Sequence, residues 1–121
     1  MKGDDITERL IGFAVLVIKV VNSLPDTLTG RHFAGQLLRA GTSPGANYEE
    51  ARGAESRRDF LHKLGITLKE LQESRYWLKV IHRSELIPTH LVEPAVQEAD
   101  ELVRIIGTSQ RTARTSPQQR G

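Results

Sequence analysis

Hydrophobic residues recur at spacings of three and four along most of this chain, which is the period of an amphipathic helix. The pattern is clearest in a segment that opens at Ser56, with Asp59 three positions later as in a capping box, and lasts to about Arg83. Its repeat predicts a bundle seam at Leu61, Leu64, Leu68, Leu71, Arg75, Leu78 and His82. Because Arg75 occupies a seam position, we expect a buried or half-buried cation there.

Three other segments show the helical period, and none shows the alternation of a strand. Their predicted limits are Asp5, as an N-cap, to Pro25, then about residues 29–54, then Pro88 to Gly107 as a C-terminal stop. The connections between the segments are short. The sequence therefore predicts an all-α, antiparallel up-down-up-down four-helix bundle over residues 1–107.

The first helix carries more apolar surface than one bundle needs. Between residues 10 and 21 it is apolar on nearly every face, whereas a bundle helix requires a stripe of only about 100–140°. The run is too short for a membrane span of about 20 residues, so we expect no membrane partner. The surplus surface favours a homo-oligomer, with interface candidates at Ile11, Val15 and Ile18.

The second helix carries a polar stripe among small residues. Taking about 100° per residue, Arg39, Ser43, Asn47 and Glu50 fall within roughly 80° of one another. Polar groups in such a close-packed place need hydrogen-bond partners. We therefore predict a structural polar network, in which Glu50 or Glu70 pairs with the seam cation, made of Arg39, Ser43, Asn47, Glu50, Glu70 and Arg75.

Composition limits the classes of function. The chain has 121 residues and no cysteine, which indicates one domain and excludes disulfides and thiolate metal ligands. The four histidines form no metal-ligand motif, and we expect no metal and no cofactor. The lack of cysteine and of a basic signal-like start favours a cytoplasmic location.

Charge is unevenly distributed, although the net charge is only +2. Residues 108–121 contain three arginines and no acid, and we predict that they form a disordered basic tail. Further arginines lie near the junction of the second and third helices, mixed with acids that make a solvated surface the alternative interpretation. The candidate nucleic-acid contacts are Arg52, Arg57, Arg58, Arg111, Arg114 and Arg120.

One short pattern is shared with serine hydrolases. Gly41, Ser43 and Gly45 match G-x-S-x-G, but that chemistry needs a strand before the serine and a larger fold. We therefore expect no enzyme here, and keep a hydrolase at Ser43 only as a remote alternative.

Longer motifs resemble a known family. The runs RAGTSPGANYEEA from Arg39, FLHKLGI from Phe60 and KELQESRYWL from Lys69 are similar to those of the rRNA intervening-sequence proteins of bacteria. The resemblance covers about residues 5–107. It implies an antiparallel four-helix bundle that assembles into a homopentameric ring. A relative, the accessory variability protein of diversity-generating retroelements, has a similar pentamer that engages reverse transcriptase and RNA.

The matched positions look like a structural signature of this family: Arg39, Ser43, Asn47, Glu50, Glu70 and Trp77. The chain departs from the family at Pro44, where an aliphatic residue is more usual. Proline removes a helix hydrogen bond and favours a kink.

From the resemblance and the apolar first helix together, we expect a non-enzymatic oligomeric scaffold that binds RNA or a nucleic-acid-handling protein such as a reverse transcriptase. An RNA-binding protein that contacts phosphates through its arginines is the alternative.

Overall fold

Four α-helices account for most of residues 2–115, the part of the chain that the computed structural model describes. They are α1 at Gly3–Ser23, α2 at Leu28–Arg52, α3 at Arg57–Ser84 and α4 at Glu93–Thr115, with a short 3-10 turn at Thr89–Leu91. These residues include no strand. Each helix packs on its neighbours in the order α1, α2, α3, α4 and back to α1. The predicted all-α four-helix bundle is confirmed.

Side-chain caps define where the helices begin. Ser56 Oγ accepts the main-chain N–H of Asp59 at 3.0 Å, as the capping pattern predicted, and Thr27 Oγ1 does the same for Gly30 at 3.0 Å. Asp5 is not an N-cap, because α1 already begins at Gly3. Its carboxylate instead accepts the main-chain N–H of Lys2 at 3.3 Å from within the first turn.

The core follows the predicted seam of α3 at alternate positions. Leu64, Leu71 and Leu78 are fully buried. The residues buried between and beyond them are Thr67, Ser74 and Ile81, one position before the predicted Leu68, Arg75 and His82, which are only half-buried. Thr67 and Ser74 tolerate burial because their hydroxyls donate to the carbonyls of Lys63 and Glu70 at 3.0 and 2.8 Å.

Gly41 sets the separation of α1 and α2. A Cβ atom at this position would lie 2.6 Å from Cγ2 of Val17, a buried residue of α1. Gly41 therefore allows α1 and α2 to approach closely, as expected of a small residue on this helix. Pro44 is buried in the same helix, and α2 continues without a break across it.

The predicted helix stop at Gly107 is wrong. α4 passes through Gly107, which is buried and has no positive φ, and ends at Thr115. The helical segment 108–115 is part of the bundle, since Ala113 is buried and Gln110 lies against Gly65 of α3. The prediction of disorder is therefore wrong for residues 108–115. Residues 116–121, including Arg120, lie outside the described residues.

Candidate functional site

A polar cluster joins α2 and α3 on one side of the bundle. Arg39 donates from Nη1 to Glu70 Oε2 at 3.2 Å and from Nη2 to Glu73 Oε2. Glu73 also accepts the indole N–H of Trp77 at 3.1 Å. These bonds, that from Trp77 first, hold the pKa of Glu73 below its ordinary value. Arg39 and Glu70, both members of the predicted polar network, are thus paired with each other, and Glu73 joins them from one turn further along α3.

Ser43 and Asn47 interact within α2 and do not bridge two helices. Asn47 Nδ2 donates to Ser43 Oγ at 2.9 Å and to Ser43 O at 3.1 Å. The interaction persists although Pro44 lies between them. Ser43 sits in the middle of a continuous helix, without the strand-to-helix turn that exposes the nucleophile of a G-x-S-x-G hydrolase.

The predicted pairing of Glu50 with Arg75 is wrong. Glu50 Oε1 accepts from Lys63 Nζ at 2.7 Å, which raises the pKa of Lys63. Arg75 lies 3.6 Å from Asp100 of α4 and is half-buried. Since α2 and α3 are antiparallel, the C-terminal part of α2 meets the start of α3, and Arg75 is about 18 Å further along that helix than Lys63.

An apolar face lies across α1 and α2. The three predicted interface candidates are exposed: Ile11 by 51%, Val15 by 44% and Ile18 by 40%. They fall on one side of α1, at spacings of four and three. Beside them a groove of about 340 Å³ is lined by residues of both helices: Thr7, Leu10, Ile11, Ala14, Val15, Thr42, Gly45, Ala46 and Glu49.

Two of the arginines predicted to contact nucleic acid have structural partners. Arg52 joins α2 to α1 through Asp4 at 2.6 Å and Thr7 Oγ1 at 3.0 Å, and the carboxylates of Asp4 first and then Glu49 raise its pKa. Arg57, at the start of α3, donates from Nη2 to the carbonyls of Ala113 and Arg114 at 3.2 and 2.9 Å. These two side chains bind the ends of neighbouring helices together.

Three further arginines of that prediction, all within the described residues, lie at the same end of the bundle. Arg58, Arg111 and Arg114 are exposed, and Arg58 lines a shallow depression with Ser56, Asp59 and His62. Because Arg57 binds the main chain of Arg114, the start of α3 and the end of α4 are adjacent. We call this group of Arg58, Arg111 and Arg114 the arginine end.

Four aromatic rings occupy the opposite end, where α2 begins and α3 approaches its last turns. Trp77 is at the centre, with ring centroids 5.8 Å from His32, 5.9 Å from Phe33 and 5.1 Å from Tyr76. Phe33 and Trp77 are half-buried, whereas His32 and Tyr76 are exposed. Trp77 was expected from the sequence as a signature position, but the cluster was not predicted; its signal was the adjacent Tyr76-Trp77 and His32-Phe33 pairs.

The family can now be identified. Residues 4–108 match the model of the 23S rRNA-intervening sequence proteins. The chain belongs to this family. The rRNA intervening-sequence resemblance drawn from Arg39–Ala51 and α3 is thereby confirmed.

A protein whose crystal structure is known has the same fold as this intervening-sequence protein. It is a protein of unknown function from the S23 ribosomal protein family of Bacteroides thetaiotaomicron, with 34% sequence identity and a TM-score of 0.83, and the match covers 93% of this chain and 100% of that one. None of the curated proteins matches.

Two further features of this family member bear on its chemistry. Within residues 2–115 no group of three histidine or carboxylate side chains is arranged to hold a metal ion. The helices in this range do not combine the length and apolar character that crossing a membrane requires.

Proposed function

We propose that this protein is a non-catalytic homo-oligomeric scaffold whose copies associate through α1 and which binds an RNA or protein partner. The observation that carries the proposal is the exposed apolar row of Ile11, Val15 and Ile18. A contiguous apolar face is costly in water, and burial between copies removes that cost.

The groove beside this row supports a contact between copies. Its lining is mainly apolar, with Leu10, Ala14 and Ala46 among its residues, and its polar residues include Thr7 and Glu49, which hydrogen-bond to each other. An apolar surface with a few polar groups is usual in protein interfaces. Leu38, which is also exposed, lies one turn before Thr42 on the same side of α2 and extends the surface.

Light scattering of the full chain tests the assembly. We expect the mass of a homopentamer for the wild type, a number that follows from the family resemblance. A triple variant, Ile11→Ser, Val15→Ser and Ile18→Ser, should give a folded monomer with an unchanged helical circular dichroism spectrum. The control is Leu91→Ser, an exposed leucine in the turn before α4. A monomeric wild type would refute the scaffold.

The second candidate function is RNA binding through the arginine end. Arg58, Arg111 and Arg114 are exposed and adjacent, and repetition of such a group around an oligomer would raise affinity for phosphates. The family name concerns ribosomal RNA, but names no ligand of this chain. A protein partner that itself handles nucleic acid, such as a reverse transcriptase, would suit the same surface.

Salt dependence separates this candidate from the first. If the arginine end contacts phosphates, neutralising Arg58, Arg111 and Arg114 together should weaken RNA binding and flatten its dependence on salt by roughly 2 in the logarithmic slope. Assembly should be unaffected, since these residues lie away from Ile11, Val15 and Ile18. Unchanged affinity in the triple variant would exclude the arginine end.

A further inference from the structure

Two rings of the aromatic cluster of His32, Phe33, Tyr76 and Trp77, those of His32 and Tyr76, are exposed to solvent. Tyr76 is 60% exposed, although it stands edge-on to Trp77 at 5.1 Å. A buried tyrosine would contribute to stability through its ring, but this one leaves most of its surface in water. The cluster therefore presents rigidly supported rings at the surface.

The support of these rings comes from hydrogen bonds as well as packing. Trp77 donates to Glu73, and Arg39 holds both Glu73 and Glu70. The two carboxylates nearest the cluster are thus each bound by Arg39, and Lys69 lies near enough to lower the pKa of Glu73 further. The cluster does not present uncompensated negative charge.

Cations lie on both sides of Tyr76 along α3. Lys69 and Arg83 are each seven residues from Tyr76, which places all three within about 40° on one face of the helix, each cation about 10 Å from Tyr76 along the axis. Lys69 and Arg83 are exposed, and neither forms a salt bridge with another side chain in residues 2–115. An aromatic ring between two exposed cations matches the alternation of base and phosphate in a single strand.

We propose that this surface binds single-stranded nucleic acid, with an unpaired base stacked on Tyr76 and phosphates beside Lys69 and Arg83. Aromatic rings accept bases of any sequence, because every base has a π face. Duplex RNA hides its bases and is recognised through its grooves and backbone. The site is therefore selective for unpaired strands and tolerant of sequence.

This inference specifies the RNA partner of the proposed scaffold and rests on that function, but it is tested apart from assembly. Trp77 is the sole tryptophan of the chain and contacts Tyr76, so its fluorescence reports on the site. Titrating the full chain with an eight-nucleotide oligouridine should quench this fluorescence. An abasic octamer with the same phosphates should bind weakly and quench little. Oligothymidine in a parallel titration distinguishes RNA from DNA.

Variants at Tyr76 isolate the stacking contact. Tyr76→Leu should weaken oligouridine binding by about fivefold to a hundredfold, whereas Tyr76→Phe, which keeps the ring, should bind within twofold of the wild type. Leu91→Ala, on another surface, is the matched control. Replacing Lys69 and Arg83 with alanine should reduce the logarithmic salt slope by about 1.4.

Several results would overturn the site. They are equal binding of the abasic and uridine octamers, an unchanged affinity in Tyr76→Leu, or no binding of any single strand by the wild type. If Tyr76→Leu changes the mass in light scattering while no strand binds, the surface is a protein interface. In each case an intact pentamer would leave the scaffold standing, so the two failures are distinguishable.

Discussion

Arg57 Nη2, at the start of α3, donates to the main-chain oxygen of Arg114 over 2.9 Å, and so joins the first turn of one helix to the last turn of another. The carbonyls at the end of a helix have no partner within it. A cation placed there also interacts favourably with the helix dipole. The contact thus explains why α4 continues eight residues past Gly107.

Arg57→Ala should release the last turn of α4. We expect the amides of residues 111–115 to exchange with deuterium faster, while exchange in α1 and α2 stays as in the wild type. Arg58→Ala, which removes the neighbouring exposed arginine, is the control. Equal protection of residues 111–115 in wild type and Arg57→Ala would show that Ala113 packing alone holds the segment.

Gly41→Ala should destabilise the protein by about 1–3 kcal/mol in urea titration, because the new methyl group would overlap Val17 and push α1 away. Gly35→Ala is the matched control in the same helix, since a Cβ there meets no atom within 4 Å. It should stabilise by up to about 1 kcal/mol through helix propensity. Equal effects at both positions would contradict the close packing.

Glu98→Ala should cost about 1–2 kcal/mol of stability. Arg9 of α1 binds both carboxylate oxygens of Glu98 of α4, at 3.0 and 2.6 Å, in a half-buried position, and such forked pairs are the stronger kind. Glu50→Ala should leave the urea midpoint almost unchanged, because Glu50 is largely exposed and its bond within residues 2–115 is to the side chain of Lys63. A larger loss at Glu50 would reverse this ranking.

Glu73 should make stability depend on acid. Its pKa is lowered by Trp77 and then by Arg39, so the ionised form is favoured in the folded state. The contribution is complete above the ordinary carboxyl pKa and is lost as the pH falls through the lowered value. The stability difference between wild type and Glu73→Gln should therefore shrink from pH 6 to pH 3. Gly35→Ala, which changes no titratable group, is the control and should show no such trend.

Local signals predicted the bundle, the Ser56 cap and the burial of Leu64, Leu71 and Leu78, because each depends on residues within a turn or two. The seam was misplaced by one position at Thr67 and Ser74, since hydrophobicity favours leucine over a hydroxyl. Burial of these two polar residues is decided by bonds to their own helix carbonyls, which no hydropathy pattern contains.

The errors at Glu50, Arg75 and Gly107 have another cause. Each depends on which residues of two neighbouring helices lie at the same level along the bundle axis. The helical period predicts the side of its own helix on which a residue lies, but not the residue that faces it on the next helix. Lys63 is the observed partner of Glu50 and Asp100 that of Arg75. Arg57 binds the carbonyls at the end of α4, so the helix ends at Thr115 and not at Gly107. The exposure of Ile11, Val15 and Ile18 was predictable, because α1 is apolar on so many sides that the other helices cannot cover all of them, however they are aligned with it.

The antiparallel order also fixes where the two outer helices begin and finish. Residue 3 of α1 and residue 115 of α4 are both at the arginine end, far from Tyr76. In a closed assembly with rotational symmetry, the copies of each of these two residues would form a ring around the symmetry axis. A fluorophore or affinity handle attached near either residue would then crowd Arg58 and Arg114 in all copies at once, and leave the aromatic rings unobstructed.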